Sequence, residues 1–317
     1  MSEAVAHSKE SGGILVVRLG AMGDILHALP AVVSLKLSFP ERRLTWVVDP
    51  AWVPLLENNR YIDRVVCFRR KELATWREAR RELRRHHYDF AVDLQGLIKS
   101  ALVAHAAGPG RIFGFARGEA REGLAAIFYS DPVSSPSLHA VDRGLDLAAA
   151  AGATALRKEF PLPAGIPEGK LPKNGFVLAS PLAGWRSKQW PIEYFEELGK
   201  ILRNEANLPL VVNAAEPLGT MATHVSSLAG LIDATRRATA VVGVDSGPMH
   251  LADALGKPGV AIFGPTDPAR NGPYGGSLTV LRNPDAPTSY KREETIAPSM
   301  REITPRMVWQ ALKEKLA

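Results

Sequence analysis

The chain has 317 residues, 46% hydrophobic and 23% charged, with 39 basic against 33 acidic side chains and a net charge of +6. That length suits two domains of roughly 150 residues each, and the composition is that of an ordinary globular protein. A disulfide framework and a thiolate metal cluster are excluded because Cys67 is the only cysteine, and no apolar run reaches the roughly 18 residues a membrane helix needs.

Residues 1–13 are polar and lack the basic start and apolar stretch of a secretory signal, so a loose tail and a reducing cytoplasm are expected. Short β-branched runs then alternate with helical patterns. In the first half, 14–19, 44–48, 64–68, 90–94 and 111–114 read as strands, and 25–38, 72–86, 97–107 and 141–151 as helices, with Gly152 suited to a helix end. Several strands are near-continuous apolar runs, as expected when helices cover both faces of a parallel sheet. The stretch 160–175 carries four prolines and three glycines without periodicity and reads as a linker. Beyond it the alternation resumes. Strands are expected at 176–180, 210–213, 240–244 and 259–263, and helices at 192–204, 227–237 and 248–255. The expectation is an α/β protein of two Rossmann-like doubly wound domains, 1–160 and 161–317, facing a central cleft, with the final helix packing back on the N-terminal domain. Ligands of such sheets sit outside the C-terminal ends of the strands, so the loops that follow strands are where chemistry is sought.

The first such loop runs from Arg18 to Asp24, with Gly20 and Gly23 letting the backbone turn tightly. It is not the dinucleotide G-x-G-x-x-G fingerprint. Asp24 reads two ways, as a helix N-cap or as a base facing the cleft, since inverting sugar transfer needs a base opposite the leaving group. His27, one turn on, is either structural or a second base candidate. From 60 to 85, ten basic residues face four acidic ones. This segment reads as a solvated helix face with some i,i+4 pairing, or as a surface for anionic lipid or a phosphorylated substrate. No aromatic-interleaved basic groove accompanies it, so nucleic acid is not expected.

In the second half, Gly243 to His250 reads as a strand end, an Asp245-Ser246-Gly247 turn and Pro248 at the first helical position. The positive end of that helix favours an anion, Gly247 leaves it accessible, Ser246 offers a hydroxyl and His250 reaches back. The alternative is a capped helix with no ligand. Another loop places Ser187 and Lys188 between Trp185 and Trp190, where a cation would neutralise a departing diphosphate or simply sit at the surface. Residues 263–268 and 272–275 form a turn-dense loop that either folds around a ligand or merely turns. There is no Walker A loop, H-E-x-x-H, G-x-S-x-G or Cys/His metal spacing.

Seven stretches together, GAMGDILHALP (20–30), DLQGLIKSA (93–101), GFARGEAREGLAA (114–126), HAVDR (139–143), SKQWP (187–191), GVDSGPMHLADALG (243–256) and FGPTDP (263–268), resemble the glycosyltransferases of family nine, the heptosyltransferases of lipopolysaccharide inner-core assembly. The pieces at 93–101, 114–126 and 139–143 are most similar to the branch that adds the first heptose to Kdo. The resemblance implies a GT-B fold and inverting transfer of L-glycero-D-manno-heptose from ADP-heptose to the Kdo of lipid A, with no required metal or other cofactor. It also implies a peripheral position on the cytosolic face of the inner membrane and a monomer. It places the general base on Asp24 and phosphate contacts on Ser187, Lys188, Asp245, Ser246, Gly247 and His250. The ribose contact falls on Glu216, and acceptor contacts on Gly23, Arg69, Arg70, Lys71, Arg121 and His139. One departure is visible: segment 216–224 is short, with little room for the helix usual there. The competing readings are a transferase that adds a later heptose or another sugar, an NAD-dependent oxidoreductase built from the two Rossmann-like halves, and a non-catalytic sugar-nucleotide or lipid-binding module.

Overall fold

The computed structural model describes residues 12–69 and 72–316. The N-terminal half holds a six-stranded sheet of β1 (Gly13–Val17), β2 (Leu44–Val48), β3 (Arg64–Cys67), β4 (Tyr88–Asp93), β5 (Arg111–Phe115) and β6 (Asp131–Val133). Every neighbouring pair is parallel, and the spatial order is β3-β2-β1-β4-β5-β6. Its helices are α1 (Met22–Ser38), α2 (Leu73–Leu83), α3 (Ile98–Ala107) and α4 (Ala140–Ala150).

The C-terminal half repeats this plan. Its strands are β7 (Val177–Ser180), β8 (Leu210–Asn213), β9 (Ala222–His224), β10 (Ala240–Val244), β11 (Gly259–Phe263) and β12 (Leu278–Arg282). They lie in the order β12-β11-β10-β7-β8-β9, again wholly parallel. Counting each half from its own first strand, both read 3-2-1-4-5-6. The chain direction therefore reverses between β1 and β4 in one sheet and between β7 and β10 in the other. The crevices at these switch points are where the loops after the four strands converge.

The core strands β1, β2, β10 and β11 are buried along their whole length, which explains their nearly continuous apolar sequences, broken by a hydroxyl only at Thr45. Helices α5 (Ile192–Ala206), α6 (Leu228–Arg237) and α7 (Gly247–Ala254) flank the second sheet, and short α8 (Pro268–Asn271) and α9 (Pro298–Arg301) lie in its loops. The last helix, α10 (Pro305–Leu316), does not return to the N-terminal half as expected. Its apolar face, Val308, Trp309 and Leu312, is buried in one core with Trp190 and Phe195, against α5 and the β10–β12 strands. The indole of Trp309 adds a hydrogen bond to Glu205 of α5 at 2.7 Å.

Residues 151–176 contain neither helix nor strand, as the proline content dictates, yet the connector is held at several points. Asn59 binds the carbonyl of Pro161, Arg236 binds those of Leu162 and Pro163, and Glu168 accepts from both the amide and the hydroxyl of Ser227. The short segment after β8 behaves as its length requires: residues 214–221 form only turns, and the chain reaches β9 without a helix. The halves meet along an apolar seam that joins Met22 of α1 and Met249 of α7 in one cluster.

Candidate active site

Three of the four switch-point loops, those after β1, β7 and β10, carry residues singled out from the sequence. After β1, Asp24 lies in the first turn of α1 and accepts from the amide of Ala21 at 3.2 Å, which is capping behaviour. Its carboxylate does more than cap. One oxygen lies 2.6 Å from the guanidinium of Arg18 and the other 3.1 Å from that of Arg121. Burial raises the carboxyl pKa, but the two arginines outweigh it and hold Asp24 below the ordinary carboxylate range. The group is a fixed anion flanked by two cations.

The loop after β4 supports this arrangement. Asp93, fully buried, accepts from the amides of Gln95 and Gly96 and from the hydroxyls of Ser100 and Tyr129, the last at 2.7 Å. Burial pushes its pKa up, and the four donors oppose that rise. The loop thus fixed sends Gln95 to the amide of Leu19 at 2.9 Å and offers the Leu94 carbonyl to Arg18. Gly96 in turn accepts from the amide of Glu122, which sets Arg121 beside Asp24. Arg18, Asp93 and Gln95 are not among the residues picked from the sequence. Their partners lie up to 76 residues away, and no local pattern announces them.

Across the seam, Asp245 follows β10. Lys188, from the loop after β7, reaches its carboxylate at 2.8 Å, and the Thr266 hydroxyl donates to the same oxygen at 2.7 Å. His250 Nε2 stands 3.6 Å from the other oxygen. Burial raises the Asp245 pKa, yet His250 and Lys188 more than reverse this, so the group is firmly ionised. Ser246 occupies the N-cap of α7 without making a capping bond, and its hydroxyl is buried with no partner among the described residues. An unsatisfied hydroxyl beside a cation at the positive end of a helix is suited to a phosphoryl oxygen. The Ser187 hydroxyl is likewise buried and unpartnered, and Ser187 lines a cavity of about 220 Å3 between the 285–302 segment and Pro265.

The two sets touch. A Cβ on Gly23 would fall 2.5 Å from the His250 ring, and one on Gly247 would fall 2.7 Å from the Met22 sulfur, so only glycine permits the approach. The buried ring of His27 lies edge-on between those of His250 and His139, with centroids 4.6 and 5.4 Å away. Burial, then its two histidine neighbours, pushes the His27 pKa well down. His139 caps α4 by accepting from Val141 through Nδ1 and donates from Nε2 to the carbonyl of Gly272 in the other half, at 3.1 Å.

The remaining expected residues stand apart. Arg69 lies just past β3, exposed and 3.5 Å from Glu72, on the same sheet edge as Asp24 but outside its cluster. Arg70 and Lys71 lie outside the described residues. Glu216 is exposed in the turn after β8, with no ion pair or hydrogen bond among the described residues. No group of three His, Cys, Asp or Glu side chains disposed to hold a metal occurs among the described residues.

Two parallel sheets of the same order, their switch points face to face with an anchored carboxylate on one side and an anion-suited turn on the other, define a GT-B glycosyltransferase. The comparisons with known proteins agree. The model for glycosyltransferase family 9 (heptosyltransferase) matches residues 76–300, and the chain belongs to that family. It is 32% identical to lipopolysaccharide heptosyltransferase 1 of Pseudomonas aeruginosa, over 84% of this chain and 83% of that one. It is 30% identical to the Escherichia coli K12 enzyme of the same name, over 86% and 93%. The solved structure of E. coli heptosyltransferase WaaC with ADP-2-deoxy-2-fluoro heptose superposes with a TM-score of 0.74 at 25% identity, covering 95% of this chain and 99% of that one.

Proposed function

We propose that the protein transfers L-glycero-D-manno-heptose from ADP-heptose, with inversion, to the Kdo of lipid A in lipopolysaccharide inner-core assembly. The observation that carries this reading is the contact of the helix bearing Asp24, through Gly23 and His27, with His250 of the Lys188–Asp245–His250 cluster across the seam. An inverting transfer needs a base on one side of the anomeric carbon and a charge-accepting site on the other. The neighbour's complex with an ADP-heptose analogue supports the choice of donor.

In this reading the acceptor hydroxyl attacks the anomeric carbon, its proton passes to Asp24, and the bond to the diphosphate breaks. Asp24, held down by two guanidiniums, is a weak base. Proton transfer is therefore late, once the hydroxyl oxygen has begun to bond to the electron-poor anomeric carbon. Lys188, the first turn of α7 and the Ser246 hydroxyl meet the charge that grows on ADP, without a required metal. In the same reading Glu216 contacts the ribose. Arg69 and the exposed arginines of α2 (Arg77, Arg80 and Arg81), together with Arg70 and Lys71, bind the phosphates of lipid A at the cytosolic membrane surface in this reading. No helix among the described residues is long and apolar enough to cross a membrane.

The test is a mass-spectrometric transfer assay with ADP-heptose and Kdo-lipid A. One added heptose supports the reading. Transfer only to an acceptor already carrying heptose assigns the protein to a later step, and no transfer to either acceptor removes the reading.

A further inference from the structure

Beside Asp24 lies a cavity of about 140 Å3 whose charged lining is Arg18, Asp24, Glu119, Arg121, Arg143 and Arg270. Four cations against two anions leave an excess positive charge of two. The pairing within the set shows which cation is uncommitted. Arg18 and Arg121 are both held by Asp24. Arg143 lies 3.2 Å from the carboxylate of Glu119 and stacks on Phe115. Glu119 is itself occupied, accepting from the amide of Ser135. Arg270 has no carboxylate partner among the described residues and rests only on the ring of Tyr290, 5.2 Å from its centroid. Unlike the other five, it comes from the C-terminal half, in α8 just after the turn-dense 263–268 loop. That loop is fixed to the catalytic turn, because Thr266 donates to Asp245.

We propose that Arg270 is a specificity-determining residue that reaches across the cleft to bind the carboxylate of a sugar-acid acceptor in the Asp24 cavity. The proposal rests on the functional reading above and deepens it. A guanidinium matches a carboxylate with two parallel hydrogen bonds, and one with no carboxylate partner gains more from that match than the three already engaged with Asp24 and Glu119. Because Arg270 is carried by the donor half, it engages the acceptor only when the halves are together. Binding of the acidic acceptor therefore favours the closed cleft in which Gly23 and His27, beside Asp24, meet His250.

Calorimetric binding of a soluble Kdo-glucosamine disaccharide and of its carboxyl methyl ester, to wild type and to Arg270→Gln, tests this independently of turnover. Wild type is expected to bind the acid about tenfold or more tightly than the ester, in line with one charge-assisted bidentate contact. In Arg270→Gln the acid is expected to weaken by a similar factor, so that acid and ester bind alike. Arg270→Lys should restore part of the difference, and an unchanged melting temperature shows that the variants are folded. An Arg270→Gln protein that still prefers the acid by the wild-type factor overturns the proposal. So does a wild type that does not distinguish acid from ester. If Arg270-dependent preference is found but heptose transfer is not, the carboxylate site stands and the functional reading fails.

Discussion

At the residue scale the site is a pair of anions, each neutralised by cations brought from elsewhere in the chain. Asp24→Asn keeps the size and much of the capping capacity of the side chain but removes the proton acceptor, so turnover should fall by about 10^2 to 10^4. ADP-heptose affinity, which depends on the opposite half, should hold. Single-turnover rates together with donor binding check this, and a rate within threefold of wild type would mean that another group takes the proton. Lys188→Met tests the other anion. It strands Asp245 with only Thr266 and His250, so a loss of stability on the order of 3 kcal/mol is expected in denaturant unfolding, with a loss of ADP affinity. A fall in affinity with unchanged stability would show that the pair is not closed in solution. What was legible in the sequence follows the same division. Asp24, Asp245, Ser246 and His250 sit in turns marked by glycine and proline at strand ends, which are local signals. Arg18, Gln95 and Thr266 matter through partners 6 to 76 positions away, and the sequence alone does not say which loops a fold brings together.

At the element scale, the buried central strands were legible because both their faces are covered and their sequences are nearly continuous apolar runs. The edge strands β6, β9 and β12 were not. Asp131-Pro-Val133 and Ala222-Thr-His224 are three residues long and only partly buried, and β12 carries one buried residue in five, so neither length nor periodicity sets them apart from loop. The helix of greatest consequence is α1, because it brings Gly23 against His250. Alanine at that position favours helix by about 1 kcal/mol in isolation. Here its Cβ would stand 2.5 Å from a ring that is itself buried, and relieving such overpacking costs about 1 to 3 kcal/mol. The clash should win. Gly23→Ala is expected to melt earlier than wild type and to bind ADP more weakly, because His250 is pushed off Asp245. A melting temperature at or above the wild-type value would show that the two loops do not stay in contact.

At the scale of the whole molecule, the two halves are joined along a seam that is apolar at Met22 and Met249 and lined with imidazoles beside it. His27 faces His250, His139, Arg18 and Asp245, and burial, followed by the neighbouring imidazoles, keeps it neutral well below the ordinary histidine range. His139 is also held down by burial, and its two hydrogen bonds require the neutral ring with the proton on Nε2. A histidine whose folded pKa is depressed leaves stability untouched above its unfolded value of about 6.5 and lowers it as the pH falls below that, by at most about 1.4 kcal/mol per pH unit. Asp24 and Asp245 are depressed carboxylates, and their contribution is lost only below their unfolded value of 3.8, so they add no slope between pH 7 and pH 5. Stability in that window should therefore fall with acidification through the seam histidines. His27→Leu removes one titrating group while keeping an apolar side chain, and its unfolding free energy, followed by denaturant titration from pH 7 to 5, should decline less steeply than that of wild type. Donor affinity should follow the same difference, since a charged His27 between two other imidazoles separates the halves that carry Asp24 and Asp245. Parallel pH profiles for the two proteins would place the acid sensitivity outside the seam.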